Sequence, residues 1–295
     1  MKFKVRHLTR YSYDAAVSDC QNTAVLLPRA SRWQQVQRAA LSVSPEPNWL
    51  QERTDWFGNR VVDFSVETLH DALEVIADSA VELIVPSLPL WDETPPWESV
   101  AVYVDAHEQL DIYRLPSALA PVAVGDMREY AARSFARERS IISAVMDLTS
   151  RLFHDFSYVP GSTEVSTPVH QVFASRMGVC QDFAHLALSM LRGMGLPVRY
   201  VSGYLETQPP QGQPRLIGAD ASHAWFSVFV QGLGWVDFDP TNNQMPSDRH
   251  ITVAWGRDYA DVVPVKGFTA GGGNQRLHVA VDVVAHDDNP QHSWF

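Results

Sequence analysis

Along residues 1 to about 85, apolar and polar positions alternate in short runs. Phe3-Lys4-Val5-Arg6-His7 changes face at every residue, as does the stretch 39–43. The stretch 61–68 comes after the turn-forming Asp55-Trp56-Phe57-Gly58-Asn59, and 73–85 is rich in β-branched residues. A period of two broken by Gly and Asn turns predicts antiparallel strands. The expected unit is an all-β, β-sandwich-like N-terminal domain over residues 1–100.

The pattern then changes. Residues 86–96 are proline-rich, and proline removes backbone donors and fixes φ, so this stretch reads as an interdomain crossing. A second such stretch at 115–121 leads into helices. Asp126 with Glu129 forms a capping pair, Ser140 caps the next helix, and Ile141, Val145, Leu148 and Leu152 recur at helical spacing. Thr167-Pro168 opens a short helix that Gly178 closes. Cys180 heads the next, with Phe183, Leu186, Ala187, Met190 and Met194 on its buried face and Gly195 and Pro197 stopping it. Strands return over 198–205, 223–230, 234–239 and 277–285, and the polar, Pro/Gly-rich 208–214 reads as a mobile loop. Helices followed by an antiparallel sheet predict an α+β domain over 101–295.

Composition narrows the function classes. With 45% hydrophobic and 19% charged residues the chain is globular. A net charge of −11 argues against a nucleic-acid partner, because a phosphate backbone needs a concentrated Lys/Arg surface. No apolar run of signal-peptide or membrane-span length is present, so the expectation is a cytoplasmic protein without a membrane partner. The two cysteines, Cys20 and Cys180, build neither a disulfide framework nor a cysteine-rich zinc site.

Cys180 is where chemistry concentrates. A helix N-terminus offers partial positive charge and free N–H groups, which favour a thiolate and can hold an oxyanion. The other reading of Cys180 is a buried small hydrophobe. His223 alone would pass for an ordinary sheet residue, but the hairpin after it matters. With Gln231-Gly232-Leu233 as a three-residue turn, Val230 faces Gly234 and Asp239 lies diagonal to His223 on the same face. A two-residue turn would put Asp239 on the opposite face. Asp237 is a rival orienter; Asp239 is preferred because Pro240 ends the strand there. Asp182 and His185 suggest a metal site with His223, but their offsets from Cys180 place them on other helix faces, and no metal is expected. Tyr158 is either an oxyanion donor or, more simply, a packing residue, and Trp225 and Trp235 shape a cleft or fill the core.

Three segments together resemble the transglutaminase-like superfamily of papain-type folds: Gly178-Val179-Cys180-Gln181-Asp182-Phe183-Ala184, Ser222-His223-Ala224-Trp225 and Gly234-Trp235-Val236-Asp237-Phe238-Asp239-Pro240-Thr241. Leu196-Pro197-Val198-Arg199-Tyr200-Val201-Ser202-Gly203-Tyr204 resembles the family's strand after the cysteine helix. His7 to Tyr13, Leu26-Leu27-Pro28-Arg29 and the Asp55-Trp56-Phe57-Gly58-Asn59 turn are similar to the N-terminal region of bacterial members, and Gly256-Arg257-Asp258-Tyr259-Ala260-Asp261-Val262 resembles the segment after their core. The resemblance implies Cys180 as nucleophile, His223 as base and Asp239 as orienting carboxylate. It also implies a thiol hydrolase, a cysteine protease or amidase, acting on a peptide or protein amide through an acyl-enzyme. The alternatives are transglutaminase-type transfer to an amine and a non-catalytic binding or assembly module. No organic cofactor is called for, and no acidic loop predicts calcium.

Overall fold

The structure, a computed structural model, describes residues 1–85, 89–105, 108–206 and 222–285. The stretch 208–214 read as a mobile loop lies outside the described residues. The first domain is organised by β1 (Lys2–Ala24), followed by β2 (Gln34–Ser44), β3 (Trp49–Thr54), β4 (Arg60–Val66) and β5 (His70–Leu83). Alternation is visible in the burial: Phe3, Val5, His7 and Thr9 point inward while Arg6 between them pairs with Asp78 at 2.7 Å. The turn before β4 forms as its residues require. Asp55 donates its N–H to Asn59 O at 3.0 Å, and Gly58 takes φ +78°, a region that favours glycine.

Beyond the proline stretch lie α1 (Trp97–Asp105), α2 (Glu108–Asp111), α3 (Gly125–Ala132) and α4 (Ile141–Asp155). Ser140 caps α4, its hydroxyl accepting the Ser143 N–H at 3.4 Å. Asp126 does not cap: α3 starts at Gly125 with Val124 at its N-cap, and Asp126 sits inside the first turn, where its charge meets the helix's positive end. A short parallel pairing joins β6 (Ser157–Tyr158) to β7 (Met177–Gly178), with α5 (Val169–Ser175) between them. Then α6 (Cys180–Gly193) packs on β8 (Val198–Leu205) and β9 (Ser222–Val230). These strands join β10 (Gly234–Phe238) and β11 (His250–Gly256) in an antiparallel sheet of order β10-β9-β8-β11. Leu186, Ala187, Leu188, Met190 and Leu191 of α6 are fully buried, so this helix is the spine of the domain. Whatever sits at its first residue is held rigidly.

The chain then returns. Strands β12 (Val265–Gly271) and β13 (Gln275–Ala285) both pair with β1, from Phe3↔Ala285 to Tyr13↔Gln275 and from Val17↔Gly271 to Ala24↔Val265. On its other side β1 pairs β5 along its first half and β4 along its second, with a register shift between Ser12 and Val17 against β5; against β12 the register shifts between Val17 and Asp19. The sequence division at residue 100 put β12 and β13 with the second domain; their hydrogen bonds complete the first. A strand as long as β1 exposes two edges, and partners distant in sequence cover them. The sandwich-like character comes from one continuous sheet of seven strands in which β4 residues Val62, Phe64 and Val66 share a core with Leu73, Val75 and Ala77 of β5. Val281 and Val283 of β13 join the larger core that contains α6, which ties the two domains together.

Candidate active site

Cys180 is the first residue of α6 and is partly buried. The helix start is fixed by Asp182, whose Oδ2 accepts the Val179 N–H at 2.8 Å and the Thr163 hydroxyl at 2.6 Å. Gly178 makes this possible, because a Cβ there would lie 2.8 Å from Asp182 Cβ. Burial pushes the Asp182 carboxyl upward, partly opposed by those two hydrogen bonds. Cys180 therefore stands at the positive end of α6, among N–H groups that have no partner inside the helix.

The hairpin after His223 has the register expected of a three-residue turn. Val230 pairs with Gly234 and Ser227 with Asp237, and Leu233 donates its N–H to Val230 O at 3.0 Å. Asp239 follows β10 and turns back through a bridge to Gln244. It is fully buried, and its Oδ2 lies 2.8 Å from His223 Nε2. Its Oδ1 accepts the backbone N–H groups of Thr241 at 2.9 Å and Asn242 at 3.2 Å. Asp237, the rival, instead accepts the indole N–H of Trp225 at 3.1 Å. Trp235 fills space between Tyr113 and Phe229.

Two residues of the candidate site, His250 and Asn242, were absent from the sequence reading. His250, on β11, places Nε2 2.9 Å from Asp239 Oδ2, and Asn242 Nδ2 donates to that oxygen at 2.7 Å. The alternation of Ile251, Thr252 and Val253 is the signal that marks its strand. His250 is buried, like the carboxylate it contacts.

The electrostatics follow from these contacts. Burial works against a charged His223, but hydrogen bonds to Asp239 and Cys180, with the charges of both, outweigh it and push the imidazole up to about 10. Burial likewise opposes the Asp239 anion, and the two imidazoles overcome it, holding the carboxyl well below the usual range. An imidazolium facing a thiol is the arrangement that generates thiolate.

The metal trio weighed from sequence, Asp182, His185 and His223, is not brought together as a coordinating group. Asp182 is spent on the α6 cap. Burial pushes His185 down to about 4, and its neutral Nε2 accepts the Tyr259 N–H at 3.2 Å. A different trio converges: ligand atoms of His223, Asp239 and His250 lie within 4.8 Å of one another. A cation held there would replace the hydrogen bonds that His223 Nε2 and His250 Nε2 make to Asp239. Tyr158 is 53% exposed on β6 with its ring edge-on to Phe183, and burial, with the charge of Cys180, pushes its hydroxyl upward, so it is not a core packing residue.

A thiol at the head of a central helix, with an imidazole and a carboxylate on successive strands packed against it, defines a transglutaminase-like fold of the papain type. The bacterial transglutaminase-like N-terminal region matches residues 3–82, and the transglutaminase-like superfamily matches residues 128–240. The second match spans Cys180, His223 and Asp239 and stops short of His250. An uncharacterized protein of Mycobacterium tuberculosis is 38% identical over 309 residues, covering 99% of this chain and 95% of that one. One of Mycobacterium leprae is 32% identical over 291 residues, covering 96% and 98%. The chain belongs to the transglutaminase-like superfamily. A crystal structure of a candidate cysteine protease from Cytophaga hutchinsonii shares the fold, with TM-score 0.77 over 100% of this chain and 94% of that one at 23% identity. A shorter likeness, 25% over 115 residues, links 39% of this chain to 17% of a protein-glutamine gamma-glutamyltransferase of Pseudomonas aeruginosa.

Proposed function

We propose that this protein is a cysteine hydrolase of amide or peptide bonds, with Cys180 as nucleophile, His223 as base and Asp239 as the group that orients the base. One observation carries the reading: a single imidazole is hydrogen-bonded to a fully buried carboxylate and interacts with the partly buried thiol at the head of α6. An ordinary structural histidine has no need of both partners.

In this reading His223 takes the thiol proton and Cys180 attacks the substrate carbonyl carbon, forming the C–S bond. The carbonyl oxygen becomes an oxyanion held by N–H groups at the start of α6, that of Cys180 among them. When the tetrahedral species collapses, the C–N bond breaks and the imidazolium gives its proton to the departing amine. A thioester remains on Cys180. His223 then removes a proton from water, the hydroxide attacks the thioester, and the acid leaves as the thiol is restored. Asp239, acceptor of five hydrogen bonds from His223, His250, Thr241 and Asn242, keeps the ring aimed throughout.

Transfer of the acyl group to an amine is the second reading, supported by the short likeness to a glutamyltransferase. The two differ only in what reaches the thioester. The deciding experiment incubates the protein with a glutamine-containing peptide and a labelled primary amine. New peptide termini or free acid without label support hydrolysis, and incorporation of label with ammonia release supports transfer. Neither product, with Cys180 alkylated no faster than a free thiol, removes both readings.

A further inference from the structure

Behind the site lies a cavity of about 510 Å³ between the core sheet and the Ser31–Gln34 segment of the first domain. Neither Cys180, His223 nor Asp239 lines it, and its nearest tie to them is His250, which forms part of its wall. Volume in this range suits a small molecule. What distinguishes the cavity is its floor. Arg199 on β8 and Asp237 on β10 line it, and both pair directly with Ser227 of β9, buried between them, so the three side chains share one face of the sheet.

That polar row is unfinished. Arg199 is 7% exposed, yet its Nε has no hydrogen-bond partner, and Ser227 Oγ beside it, fully buried, has none either. Among the described residues no ion pair joins Arg199 to a carboxylate within 4.0 Å. Asp237 Oδ2, the nearest carboxylate oxygen on the floor by strand register, already accepts the Trp225 indole N–H. Buried charges are normally paired, because desolvation of an unpaired ion is costly. The guanidinium instead lies over Trp255 at 3.6 Å and near Trp235 at 4.5 Å, both cavity walls. Arg29 also lies over Trp255, at 3.0 Å, adding a second cation without relieving the first. Burial lowers Arg199 to about 10 against the opposing charge of Asp237, which leaves it charged at neutral pH. Arg32 and Trp33 stand at the entrance, Arg32 exposed.

We infer that this cavity is a binding site for a small carboxylate with a flat or apolar body, such as an N-acyl amino acid or the C-terminal residue of a peptide, the carboxylate paired with Arg199. The guanidinium supplies a charged, fork-shaped donor, and the half-buried indoles of Trp33, Trp235 and Trp255 supply apolar wall surface for the body of the ligand. Asp237 on the same floor accepts the amide N–H that such a ligand carries. Binding here is independent of chemistry at Cys180.

The indoles also report occupancy. The test titrates the full chain carrying Cys180→Ser with N-acetylphenylalanine and with N-acetylphenylalaninamide, following tryptophan fluorescence. The expected result is a saturable change with the acid and binding of the uncharged amide weaker by about tenfold or more, the loss of one charge-assisted contact. Arg199→Met abolishes the preference for the acid. Arg32→Ala, at an exposed position and with its fold checked by circular dichroism, weakens acid binding several-fold and guards against misfolding of the Arg199 variant. Equal affinity for acid and amide, no saturable change, or acid binding untouched by both substitutions overturns the inference. Because Cys180 is already removed, failure of the hydrolase reading leaves this result unchanged.

Discussion

His223 and His250 converge on the same oxygen of Asp239, at 2.8 and 2.9 Å. One imidazole faces Cys180, whereas the other is enclosed between Trp225 and the cavity behind the sheet. In the proposed hydrolase reading His250 is therefore a positioning residue: it holds the carboxylate that would hold the base. His250→Ala is expected to slow iodoacetamide alkylation of Cys180 at neutral pH by about 10-fold, the order that loss of an outer hydrogen-bond partner carries. His250→Gln, which keeps an N–H donor, recovers part of the rate. A merely structural role predicts a lower melting temperature with the alkylation rate unchanged, and in neither variant would the rate respond to the donor.

The two thiols differ enough to make that assay clean. Cys20 is fully buried in the first domain, and burial pushes its thiol up. Cys180 is accessible and faces an imidazolium. In the native protein, alkylation is expected to stop at one equivalent, to be unaffected by Cys20→Ser, and to persist well below the ordinary thiol pKa of about 8.5. His223→Ala removes the low-pH reactivity. Mass spectrometry of the alkylated chain locates the label; equal labelling of both cysteines would contradict the placement of Cys20.

The raised His223 also predicts a pH signature in stability. A group whose folded pKa exceeds its unfolded value stabilises fully below the unfolded value, here near 6.5, and the contribution disappears as pH rises through the folded value of about 10. The melting-temperature difference between the parent and His223→Ala is therefore expected to be largest near the unfolded pKa and to shrink steadily toward the folded one. A difference that grows with pH would reverse the sign and deny the imidazolium.

Cys180, His223 and Asp239 were legible because each carries a local signal: a glycine before a helix, an alternating strand, and a proline that ends the next one. The count of residues in the Gln231-Gly232-Leu233 turn then fixed the face of Asp239, since register follows loop length. His250 was not legible in the same way. Its strand pairs with β8, some 50 positions earlier, and nothing local announces the partner. The closing of the first sheet by β12 and β13 was hidden for the same reason, being a pairing across nearly the whole chain. Arg199 shows a third kind of silence. Its neighbours in sequence are apolar, and only the meeting of the two domains reveals a buried cation whose Nε lacks a hydrogen-bond partner.

The return of β13 makes a prediction about the two domains as one folding unit. Val283 is fully buried within the core that contains α6, although it lies on a strand of the N-terminal sheet. Val283→Ala deletes buried methyl groups from that shared core and is expected to cost about 1–3 kcal/mol, the cavity term included. Because the core is continuous, the loss should lower a single cooperative transition, read together by far-UV circular dichroism and by the release of Cys20 to alkylation. Two separated transitions, with Cys20 exposed well before the helices melt, would show instead that β12 and β13 fasten one domain only and that the sheet folds independently of α6.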